Sequence, residues 1–148
     1  EMDALRISGV ALGAELTGKK SAYGSLDEII DLAGHFGLKR LMPVIDYAHF
    51  HAREGRLKSK GDYLRILERV ENKLGSDAAK SFHCHFSGIE FGDKGERNHL
   101  PVGSGSPPFG PLAQAWEENG WQGTVICESP LIEKDALVLQ KLSQKASM

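Results

Sequence analysis

Leu41-Met42-Pro43-Val44-Ile45-Asp46 is a short apolar run that closes on a carboxylate. Three other runs share this build. Val10-Ala11-Leu12-Gly13-Ala14 leads to Glu15, and Thr124-Val125-Ile126-Cys127 leads to Glu128. Ser81-Phe82-His83-Cys84-His85-Phe86 carries an imidazole next to its end. Each run is brief and is followed by polar or turn residues, as expected of strands buried in a parallel sheet. Pro43 has no N–H to give a ladder, so pairing there is expected to begin after it or to be locally irregular.

Helical patterns follow each run. Ser25-Leu26-Asp27-Glu28 reads as a capping box, with Leu26, Ile29, Ile30 and Ala33 on one face and Gly37 as a stop. A second helix is expected from near Ser59, carrying Tyr63, Leu64, Ile66, Leu67, Val70 and Leu74 before Gly75. A third starts around Phe109, after Pro107-Pro108, and ends at Asn119-Gly120. The last runs from Glu133 through Leu142 and frays by Met148. The order β-α-β-α-β-α-β-α predicts an α/β protein. Gly88 to Pro108 reads as one long irregular segment, a length that usually carries function.

Composition narrows the classes. The chain has 148 residues, 41% of them hydrophobic and 26% charged, with a net charge of -2. That predicts one soluble domain and argues against disorder. No apolar run nears the ~20 residues of a membrane span. Glu1-Met2-Asp3 does not resemble a signal peptide, so a cytoplasmic location is the default expectation. Cys84 and Cys127 make no disulfide framework and read as small buried hydrophobes. The 18 basic against 20 acidic residues exclude a simple polycationic nucleic-acid binder. They leave room for an enzyme that meets phosphate with metals and local basic loops. A complete eight-stranded barrel needs about 200 residues or more, so this chain cannot form one alone.

Ligands of such folds bind where strands end and loops begin. The residues there are Glu15, Asp46, His85 and Glu128. Converging carboxylates repel one another unless a cation stands among them, and buried charge is costly without a partner. Imidazole mixed with carboxylate, without a thiolate pair, suits Zn²⁺ or Mn²⁺ in an open catalytic site. Several neighbours read more plainly. His35 is a helix-surface residue, His83 a core histidine, and Asp93-Lys94-Gly95-Glu96-Arg97 a solvated turn.

With these residues in place, the chain resembles the endonuclease IV family of apurinic/apyrimidinic endonucleases, archaeal-type members above all. The resemblance is carried by Ala14-Glu15-Leu16-Thr17-Gly18-Lys19-Lys20-Ser21-Ala22-Tyr23-Gly24-Ser25 and Pro43-Val44-Ile45-Asp46-Tyr47-Ala48-His49-Phe50-His51-Ala52-Arg53. It continues in His83-Cys84-His85-Phe86-Ser87-Gly88-Ile89-Glu90-Phe91-Gly92, Glu96-Arg97-Asn98-His99-Leu100-Pro101 and Gly123-Thr124-Val125-Ile126-Cys127-Glu128-Ser129-Pro130.

The resemblance implies the second half of a TIM (β/α)8 barrel of the xylose isomerase-like superfamily, with residues 1–148 as four βα units and the N-terminal half absent. It implies cleavage of DNA 5′ to abasic sites with up to three zinc ions. Glu15 would bridge metals, Asp46, His85 and Glu128 would complete one site, and His49 would hold a further metal with Glu96 and His99. Glu128 or Glu15 would orient the nucleophile, and Lys19, Lys20, Arg53 and Lys94 would meet the DNA backbone. The spacing Glu96-Arg97-Asn98-His99 is one residue longer than the bacterial Asp-x-His pattern. The family's two further histidine ligands, from the first half of its barrel, have no counterpart here. A start at Glu1 fits a truncated or processed piece. Two alternatives stand beside this reading. One is a sugar isomerase or epimerase using the four strand-end residues around one divalent ion. The other is a silent half-barrel that pairs with a missing half or with a copy of itself.

Overall fold

A computed structural model describes residues 9–147 of the chain. The expectations made for Glu1-Met2-Asp3 and for Met148 lie outside those residues. Four strands form one parallel sheet in the order β1-β2-β3-β6: β1 Leu12–Glu15, β2 Leu41–Asp46, β3 Ser81–Phe86 and β6 Gln122–Cys127. Helices α1 Leu26–Phe36, α3 Lys60–Leu74, α5 Gly110–Glu118 and α6 Glu133–Ala146 alternate with them.

The local rules hold where the sequence pattern was strongest. Ser25 caps α1, and the Glu28 carboxylate accepts from the Gly24 and Ser25 N–H groups at 2.8 Å each. Leu26, Ile29, Ile30 and Ala33 are buried on its inner face. Pro43 sits inside β2, paired with Ala14 of β1, while the β2–β3 ladder begins at Val44. The missing N–H therefore falls outside the ladder with β3.

Three elements depart from the sequence expectation. Helix α2, Tyr47–Arg53, is an additional helix that starts directly after β2, while the helix expected from near Ser59 forms as α3 with Ser59 as its N-cap. The short helix α4, Ser76–Lys80, leads into β3. The segment read as irregular contains an antiparallel hairpin, β4 Gly88–Gly92 with β5 Gly95–Leu100. Its turn is Asp93-Lys94, and Gly95 takes φ 102, a conformation that only glycine adopts without strain.

One face of the sheet is dry. Phe82, Cys84, Phe86 and Ile45 pack there against α1, α3 and α5 through Ile29, Tyr63, Ile66, Val70 and Leu112. The other face, which carries Glu15, His83, His85, Thr124 and Ile126, is more open, and Ile126 is 41% exposed. An inward face and two open edges, β1 and β6, are what a half-barrel presents. Among the described residues no helix is long and apolar enough to cross a membrane.

Candidate metal centre

Sheet register brings the strand ends together. Asp46 lies beside His85 in the β2–β3 ladder, and the Glu128 N–H donates to the Phe86 carbonyl at 3.1 Å, extending the β3–β6 pairing by one residue. One ligand atom from each of Glu15, Asp46, His85 and Glu128 lies within 4.8 Å of all the others. His85 Nδ1 is 3.3 Å from Glu15 Oε1 and 3.1 Å from Glu128 Oε1.

Asp46 divides its carboxylate between two tasks. Oδ1 caps α2 by accepting from the His49 N–H at 2.7 Å. Oδ2 is buried and meets no donor, and neither does His85 Nδ1. Burial pushes the Asp46 carboxyl above its ordinary range. The nearby His49 imidazole and backbone N–H pull it back, and Glu128 and Glu15 push it further up. Two buried polar atoms without hydrogen bonds, among three carboxylates, suit a cation, either a metal ion or a proton on His85. The cluster has the donor chemistry of a divalent-metal site.

A second group stands against the first. His49 Nδ1 donates to the Leu16 carbonyl at 2.9 Å and is 3.5 Å from both Glu15 Oε1 and Asp46 Oδ2. That fixes its proton on Nδ1 and turns the Nε2 lone pair outward. His99 is fixed in the same way. The Ser87 hydroxyl donates to the Gly88 carbonyl, so its oxygen accepts from His99 Nδ1, 2.9 Å away, and the Glu128 carbonyl stands 3.1 Å from that nitrogen. The two Nε2 atoms are 3.1 Å apart, with Glu96 Oε2 at 2.9 Å from His49 Nε2. Glu96 Oε2 is buried and makes no hydrogen bond. Two lone pairs and a carboxylate facing one another need a cation, a proton or a metal ion.

The hairpin is held in place by backbone contact with the loop after β1. The Glu96 N–H donates to the Gly18 carbonyl at 3.1 Å, and the Lys20 N–H to the Lys94 carbonyl at 3.2 Å. A Cβ at Gly95 would stand 2.0 Å from the Gly18 oxygen, and one at Gly18 would stand 2.4 Å from Glu96 Oε2. Gly18, Gly95 and Ser87 therefore serve the site, and sequence reasoning gave them no role. A glycine facing a glycine across two loops leaves no local signal.

Lys19, Lys20 and Lys94 are exposed around this latch. Arg53, expected to meet DNA, is turned inward instead. Its Nη1 donates to the carbonyls of Lys19 at 2.6 Å, Ala22 at 2.9 Å and Thr17 at 3.4 Å, and Nη2 is 3.7 Å from Glu28. A guanidinium has a fixed fork of donors, and here the fork is committed to the loop. The run Asp93–Arg97, read as a solvated turn, is the hairpin tip and sends Glu96 inward. His83 lies half-buried below His85, edge to face at 5.5 Å, and His35 is exposed. Cys84 is buried, and burial pushes its thiol well up. His51, two residues past His49, is buried, and burial, then Arg56 and Lys58, push its imidazole down to about 4.

Fold and site together define a class: α/β barrel proteins that gather divalent-metal ligands at the C-terminal ends of parallel strands. The chain belongs to the xylose isomerase-like TIM barrel family, whose sequence model matches residues 2–143. An uncharacterised protein of Methanocaldococcus jannaschii is 39% identical over 142 residues, covering 95% of this chain and 50% of its own length. The chain thus spans about half the length of that curated relative. No solved structure matches it significantly.

Proposed function

We propose that the chain carries the metal-holding part of a phosphodiesterase that cleaves DNA 5′ to abasic sites with zinc. The observation that supports this reading is the second donor set lying against the first. His49 is 3.5 Å from two members of the strand-end cluster and 2.9 Å from Glu96. A sugar isomerase built on the four strand-end residues has no use for Glu96 and His99. A phosphodiester carries charge on its bridging and non-bridging oxygens, and neighbouring cations suit it.

Glu15, Asp46, His85 and Glu128 would hold one ion, and His49, Glu96 and His99 another. When bound, divalent ions supply activation of water near neutral pH and neutralisation of charge on the phosphoryl group. The residues of the chain do the rest. Asp46, fully buried, anchors α2 through Oδ1 and leaves Oδ2 facing the cluster. Glu15 and Glu128 remain open to solvent, at 41% and 33% side-chain exposure. Either carboxylate can accept a hydrogen of the attacking water and fix its direction. Lys19, Lys20 and Lys94 meet the flanking phosphates, which makes binding fall with salt. The remaining half of the barrel closes the β1 and β6 edges, where Leu12 and Ile126 are exposed.

The test is incision of a duplex with a single abasic site by the chain completed with the other half of its barrel. A metal-dependent break 5′ to the lesion, lost in Glu128→Gln, supports the reading. Interconversion of an aldose and its ketose without incision overturns it in favour of the isomerase. Neither activity would leave a half-barrel whose role is assembly.

A further inference from the structure

Helix α2 delivers His49 to the second donor set. Two residues on, His51 points to the opposite side of the helix, into a separate cleft of about 420 Å³. The cleft is walled by His51, Arg56, Lys58, Phe91, Ser106 and Pro108. Among the described residues that line it there is no carboxylate.

The hydrogen bonds inside it fix where the protons are. The Leu57 N–H donates to His51 Nδ1 at 2.8 Å, so in the neutral ring the proton sits on Nε2. Nε2 is 3.0 Å from Ser106 Oγ, which must then accept. The Ser106 hydroxyl hydrogen is left free to donate into the cleft. The guanidinium of Arg56 lies over the Phe91 ring at 5.5 Å from its centroid, which holds it at the wall. Neither Arg56 nor Lys58 forms an ion pair among the described residues. The acids on either side along the chain are committed elsewhere: Glu54 to the Leu26 N–H at 2.7 Å and to Arg69 at 3.3 Å, and Asp62 to the Lys58 and Ser59 N–H groups at 3.0 and 2.7 Å and to Arg65. The cleft therefore offers a hydroxyl, a guanidinium and an ammonium as donors, with an aromatic wall and no competing anion.

The geometry points to an anion site in this cleft that takes a phosphate group, held by the Ser106 hydroxyl, Arg56 and Lys58. Donors with two full charges and no acceptor suit a tetrahedral oxyanion, and arginine matches its oxygens in pairs. The site stands apart from both donor sets and does not depend on the metal reading. The phosphate can be free or part of a polynucleotide backbone, and the experiment separates the two.

The experiment is a ¹H–¹⁵N NMR titration of the full chain at constant ionic strength. Inorganic phosphate is the first probe and a short oligothymidylate without terminal phosphate the second. Saturable shifts are expected at the Leu57, Lys58 and Ser106 amides. Affinity should fall about tenfold in Arg56→Gln and in Ser106→Ala, and stay unchanged in Glu128→Gln, which alters only the metal cluster. Saturation by phosphate alone names a free phosphate. Saturation by the oligothymidylate, with phosphate competing, names a polynucleotide. No saturable shift at these amides with either probe overturns the proposal. So do shifts that persist at wild-type affinity in both Arg56→Gln and Lys58→Gln, whose exposed side chains leave the fold intact.

Discussion

The two donor sets are built by different means. Glu15, Asp46, His85 and Glu128 stand at the ends of neighbouring parallel strands, and the ladder alone sets their spacing. His49, Glu96 and His99 come from a helix and a hairpin, and their spacing depends on one loop touching another. Ladder register is strongly specified, because a slip of one residue would turn every side chain to the wrong face. Loop contact is specified by a few backbone atoms. The first set should therefore tolerate damage around it, and the second should fail when its latch is disturbed.

The largest effect is expected at Asp46, where both sets meet. Asp46→Ala removes the buried metal-facing oxygen and the α2 cap together. Metal retained by the strand-end set should be lost, with a further loss of about 1 kcal/mol in stability from the cap. Asp46→Asn keeps an acceptor for the His49 N–H. It should lose the metal but hold the stability, measured by metal analysis and urea unfolding side by side.

Gly95→Ala breaks the comparison from the other side. A methyl group cannot share space with the Gly18 oxygen at 2.0 Å, and φ 102 is strained for alanine. Metal affinity at the second set should fall by about 10–100-fold, as when an outer-shell support is removed, while the strand-end set keeps its ion. Ser87→Ala is milder. His99 Nδ1 still has the Glu128 carbonyl at 3.1 Å, so affinity at the second set should fall by about tenfold or less.

Asp62→Asn should leave both sets untouched and serves as the control. Asp62 closes the capping box of α3, and the N–H groups of Ser59 and Lys58 lower its carboxyl to about 2. A carboxyl lowered on folding adds stability that is present above its unfolded value, about 3.9, and is lost as pH falls through the folded value. The variant should lose about 0.3–1 kcal/mol at neutral pH, the range for an acid in the first turn of a helix. The difference from wild type should vanish as pH approaches about 2, read from urea midpoints.

The same contrast explains what the sequence disclosed. The four strand ends were legible because apolar runs of strand length each finish beside a ligand type, and parallel sheets put such ends at one rim. The capping box at Ser25 was legible because its partner Glu28 is three residues away, and the helix start near Ser59 was legible from the apolar spacing that follows it. The hairpin was not. Gly88–Leu100 mixes glycine, charge and only two large apolar residues before its turn, Ile89 and Phe91, so its alternation is faint. Helix α2 was missed because its cap, Asp46, is also the last residue of a strand, and a strand passing straight into a helix leaves no turn to see. Arg53 looked like a phosphate contact because its charge is visible in sequence, whereas the three carbonyls that occupy it are brought together only by the fold.

The central claim is that the chain holds divalent metal at two donor sets of unequal robustness. Quantitative metal analysis of the wild type, Glu128→Gln and His99→Ala after exhaustive dialysis tests it most directly. Glu128→Gln should lose the strand-end ion, and His99→Ala should lose the second ion while keeping the first. Wild-type metal content in both variants would contradict it.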